Sequence, residues 1–103
     1  MFRTAVTLTT AALVLAGPAF ASHRYRGPVF SDSNHFYLDY KTDLSEARRE
    51  LRKDLARADD PASREDAWAE YHREVADAGH DFRKEMAERG VIVRGIPRVT
   101  VEP

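Results

Sequence analysis

Two long amphipathic stretches flank a single proline, and that arrangement restricts the chain to a helical hairpin. In the first, Tyr37, Tyr40, Leu44, Ala47, Leu51, Leu55 and Ala58 step by three and four, as one face of an α-helix requires. In the second, Trp68, Tyr71, Val75, Ala78, Phe82 and Met86 step the same way. Between them, Pro61 disfavours a helical Asp60 and itself suits the first position of a new helix. Asp60 supplies an N-cap, and Gly90 a C-terminal stop. The spacing predicts helix 1 over about 35–58 and helix 2 over about 61–89. A connection this short returns the second helix antiparallel to the first.

Helix 1 has two candidate starts. Asp32, Ser33 or Asn34 caps an early one, and Asp43-Leu-Ser-Glu46 resembles a capping box for a late one. The early start is preferred because the two stretches are related by an internal repeat. At an offset of about 31 residues, Tyr40/Tyr71, Ala47/Ala78, Arg52/Arg83, Lys53/Lys84 and Ala56/Ala87 are identical. Acid meets acid at 39/70, 43/74, 46/77, 50/81 and 54/85. Tyr37 then aligns with Trp68, well inside a helix.

Folded at Asp59-Asp60, the stripes pair Tyr37 with Phe82, Tyr40 with Ala78, Leu44 with Val75, Ala47 with Tyr71 and Leu51 with Trp68. Large side chains face small ones, as a close-packed, coiled-coil-like seam requires. Gly79 lies one place beyond the stripe and reads as a weak spot or a point of close contact. Surface ion pairs are expected at Glu50–Lys53, Glu70–Arg73, Asp81–Lys84 and Glu85–Arg89. The run Arg48-Arg49-Glu50-Leu51-Arg52-Lys53 reads as a solvated face.

The ends differ in character. Met1-Phe-Arg3, an apolar run from Ala5 to Ala16, the breaker Gly17-Pro18 and the small residues Ala19 and Ala21 have the form of a cleaved signal peptide over residues 1–21. Cleavage is expected near Ala21-Ser22, which makes the protein exported, to a bacterial periplasm or beyond. Residues 22–34 read as an extended, mobile arm, and residues 90–103 as a short β-prone tail built on Val91-Ile-Val93 and Val99-Thr-Val101. The whole prediction is an all-α fold, an antiparallel two-helix hairpin between these two segments.

Composition removes several function classes. The chain has no cysteine, so no disulfide staples a small exported fold. Its net charge is −1, and one unit more negative without Arg3, which argues against a nucleic-acid partner. No nucleophile–base set, phosphate loop or His-Glu-x-x-His motif is present, so the chain reads as non-enzymatic and without a cofactor. The exception considered is a divalent cation held by His80, His72, Asp39, Asp43 and Asp77, which the hairpin would bring near one another. That would make the protein a periplasmic metal-binding or metal-stress protein. The leading expectation is different: a structural, adaptor or chaperone-like envelope protein acting through protein contacts. Phe36, Leu38 and Trp68 exceed what one seam covers and are the candidate contact residues. The partner would be a second copy, forming a four-helix homodimer, or another envelope protein, with membrane contact at most peripheral.

Overall fold

Asn34 begins the ordered architecture by capping the first helix. A computed structural model describes residues 24–99; the expected leader over 1–21, its expected cleavage point and the end of the tail lie outside them. The described residues form two helices and no strand, α1 over His35–Arg57 and α2 over Pro61–Glu88, joined as a hairpin. The Asn34 side chain accepts from the Phe36 N–H at 3.1 Å, which fixes the early start; Asp43 to Glu46 is helix interior. Asp60 caps α2 by accepting from the Ser63 N–H at 2.8 Å. Gly90 ends it at φ 83, a left-handed conformation that a side chain would strain.

The seam is turned slightly from the expected one. Leu51 is buried, but the residue of α2 buried near that end is Ala67 at 5 % exposure, while Trp68 is 46 % exposed. Ala47 and Ala78 are both buried, whereas Tyr40, Leu44, Tyr71 and Val75 are half-buried. Alanines, rather than tyrosines against alanines, therefore line the middle of the contact. The physical reason is distance: small side chains let two helix backbones approach, and larger ones are displaced to the flanks.

The buried aromatic packing belongs to the open end. Tyr37 meets Phe82 as expected, with ring centroids 5.8 Å apart, and Tyr40 lies 5.6 Å from Phe82. Tyr37, Phe82, Met86 and Val93 form the buried cluster, with Tyr25, Val29, Phe36, Val91, Ile96 and Val99 packed on it. Over its described part the arm packs against this cluster. The Tyr25 N–H donates to the Arg89 carbonyl at 3.0 Å, and the Asn34 amide donates to the Val29 carbonyl at 2.8 Å. Phe30 adds its ring edge to Tyr37 at 5.8 Å.

From Gly90 the tail runs back along α2 as extended chain without strand pairing. Val93 is buried, and Ile96 comes within 3.8 Å of where a Cβ on Gly79 would stand. Gly79 is buried beside the tail, with room for a methyl at ordinary contact distance. Of the expected ion pairs, Glu85–Arg89 forms at 2.9 Å; Lys84 turns instead to Glu88 at 3.1 Å, and Asp54 pairs with Arg57 at 2.8 Å.

Candidate functional site

The acids repeated along the sequence fold onto one side of the hairpin. Asp39, Asp43, Glu46, Glu50 and Asp54 step by four, three, four and four, which keeps them on one face of α1. On α2, Asp66, Glu70, Glu74, Asp77, Asp81 and Glu85 do the same. Because the helices are antiparallel and each stripe lies on the same side of its own seam, both face a common groove. Its central part, about 370 Å³, is floored by Ala47 and Ala78 and walled by Asp43, Glu46, Glu50, Glu70, Glu74, Asp77 and Asp81. Toward the open end it continues past Asp39, Tyr40 and Glu85, and toward the turn past Asp54, Asp66 and Glu70. Every acid that matches an acid across the 31-residue offset lines this groove.

No lysine, arginine or histidine lines any of these stretches. Asp54 and Glu85 have cation partners at the margins. Among the described residues the other nine have no ion pair within 4 Å. The groove is consequently a site of unrelieved like charge. Partial burial pushes the Asp43 carboxyl up from its ordinary value, and Glu46, Asp39 and, across the seam, Asp81 push it further. Burial raises Glu74 in the same way, with Glu70 beside it and Glu50 and Asp54 on the opposite helix adding to the effect. Tyr40, at the open end, is raised chiefly by burial and then by Tyr37.

Of the residues considered for a metal, Asp43 and Asp77 share the central groove, and Asp39 lies in its continuation. His80 and His72 are exposed and line neither stretch; His72 lies against Trp68, with centroids 5.9 Å apart. No group of three or more His, Asp or Glu among the described residues gathers at a spacing that would hold a metal ion. Of the contact candidates, Phe36 is half-buried on the open-end core, with the Arg89 guanidinium 4.1 Å above its ring. Leu38 and Trp68 remain exposed. Sequence reasoning paired the acids across the repeat and brought Asp39, Asp43 and Asp77 together beside the seam, but did not extend that face to the full rows. Their 4-3-4-4 stepping was the available signal.

No helix among the described residues is long and apolar enough to cross a membrane. No protein-family model matches the chain, and no curated protein or solved structure matches it either.

Proposed function

We propose that the chain is an exported, non-enzymatic helical-hairpin protein that acts through protein contacts, with its acidic groove as the docking surface. The observation that carries this reading is the convergence of eleven carboxylates, five from α1 and six from α2, on a groove that no cation lines. Like charges held this close oppose folding, and departures from local rules of this kind are expected at functional or strained sites. The complement is a cationic segment of an envelope protein, with Lys or Arg spaced to meet both rows. Such an interface is steered by long-range attraction and weakened by salt.

The test is capture from the cell envelope by the wild type and by Glu46→Lys/Glu50→Lys, both positions being exposed. Proteins retained by the wild type, released by salt and lost to the variant support the reading. An identical set on both baits overturns it.

A second reading uses the same charge differently. A divalent cation seated at Asp43 and Asp77 would relieve the repulsion from Glu46, Asp39 and Asp81 that adds to burial in raising Asp43. The His80 and His72 arm of that reading is separable by calorimetry with Zn²⁺ on the wild type and on His80→Ala. Equal heats from both proteins remove the histidine, and no heat from either removes the metal.

A further inference from the structure

The flank of the hairpin opposite the carboxylates has its own chemistry. At 100° per residue, Arg48 and Arg52 of α1 and Arg64, Trp68 and His72 of α2 fall on the other side of the seam from the acid rows. All five are exposed. The tail crosses this same flank, because the Gly79 it touches belongs to the same side of α2 as Trp68. Val93 turns inward there, so the alternation of an extended chain turns Ile92 and Arg94 outward; Ile92 is 70 % exposed. The large exposed hydrophobics of the described chain are Phe30, Leu38, Trp68 and Ile92, and none of them lines the acidic groove. On this flank Trp68 and Ile92 thus stand among Arg48, Arg52, Arg64 and Arg94, with the exposed Glu65 beside them, and the acid rows occupy the other side.

We propose that this flank docks on an anionic lipid surface, a contact separate from the groove's partner and on the opposite side of the molecule. Charge complementarity selects the occupant. Arginines spaced among a tryptophan and aliphatic side chains match a surface with an anionic outer layer and an apolar layer just beneath it. Two-fold pairing with a second copy through this flank would set one arginine-rich surface against another. Trp68 is suited to the boundary, since indole presents an apolar body with a polar N–H. The acidic groove, facing away from the lipid, stays open to its protein partner.

Trp68 is the chain's single tryptophan and reports on this contact directly. The protein is purified in the form the cell accumulates, its N-terminus is read by mass spectrometry, and it is mixed with phosphatidylglycerol or phosphatidylcholine vesicles. The expected result is a shift of Trp68 emission to shorter wavelength and co-flotation with the anionic vesicles only, both reversed by high salt. Each cation near an anionic surface contributes about fivefold in partitioning, so Arg48→Ala/Arg52→Ala costs roughly 25-fold. Both positions are exposed, and an unchanged helical circular-dichroism signal confirms that the variant is folded. The proposal is overturned by no emission shift with anionic vesicles, or by flotation without a shift, which assigns binding to another segment. A shift that grows with protein concentration in the absence of vesicles also overturns it, and assigns the flank to a second copy.

Discussion

The two halves of the hairpin are held together by different means. At the open end, Tyr37, Phe82, Met86 and Val93 are enclosed by the arm on one approach and the tail on another. Toward the turn, the helices touch through Ala47, Leu51, Ala67 and Ala78, with carboxylates on one flank and arginines on the other. The open end concentrates apolar burial, which stabilises. The turn-proximal half has little of it and leaves its charged flanks free for other contacts. A small chain without disulfides divides the work in this way because it has apolar material for one good core only.

Substitutions in the two halves should therefore have unequal effects. Phe82→Ala, at 2 % exposure in the enclosed core, should lower stability by about 3–5 kcal/mol in chemical denaturation. If the loss is under about 1 kcal/mol, the open end does not dominate. Next comes Asn34→Ala, which removes a buried cap that joins three segments. Its amide reaches the Val29 carbonyl and, at 3.6 Å, the Met86 sulfur, while its oxygen holds the Phe36 N–H. A loss of about 1–3 kcal/mol is expected, against a few tenths for Asp60→Gly at the exposed cap of α2.

Gly79→Ala should act in the opposite direction. The added methyl would meet Ile96 at 3.8 Å and Arg83 at 3.5 Å, ordinary contact distances, so the helix gains up to about 1 kcal/mol. A melting temperature that falls instead would mean that the tail cannot accommodate even a methyl.

Acidity tests the groove. Asp43 and Glu74 have folded-state values raised above their unfolded ones, so the folded chain binds protons more readily there. Stability should rise modestly as pH falls from about 6 toward the carboxylate range near 4, where the repulsion is neutralised. Asp60 is lowered by its hydrogen bonds with Ser63, and its contribution is lost on further acidification. A melting temperature that only declines below pH 6 would show that the groove's charge costs the fold nothing. The smallest effect should belong to the largest side chain: Trp68→Ala, half exposed, should change stability by no more than about 0.5 kcal/mol.

Sequence periodicity reveals the hairpin because Pro61, the Asp60 cap and two stripes all describe local events. The rotation of the seam is less legible. An apolar stripe is weighted by size, and Ala67 beside Trp68 contributes little weight although it makes the closer contact. The groove was hidden differently. Read linearly, Glu46, Glu50 and Asp54 alternate with Arg48, Arg49, Arg52 and Lys53 as a balanced mixture. Only wrapping them on a helix sets Arg48 and Arg52 on the flank opposite Glu46, Glu50 and Asp54. Arm and tail were least legible of all, since their contacts join residues far apart, such as Asn34 to Met86 and Tyr25 to Arg89, and no local pattern encodes them.

The Tyr25–Arg89 hydrogen bond also sets a timetable. Synthesis delivers Tyr25 first and its acceptor 64 residues later, a wait of several seconds at roughly 5–20 residues per second. Within that interval Tyr37 and Tyr40 wait 45 and 42 residues for Phe82, and four more for Met86. The nascent chain therefore presents its most adhesive surface until Arg89 closes the clasp and, after it, Val93, Ile96 and Val99 arrive to cover the cluster.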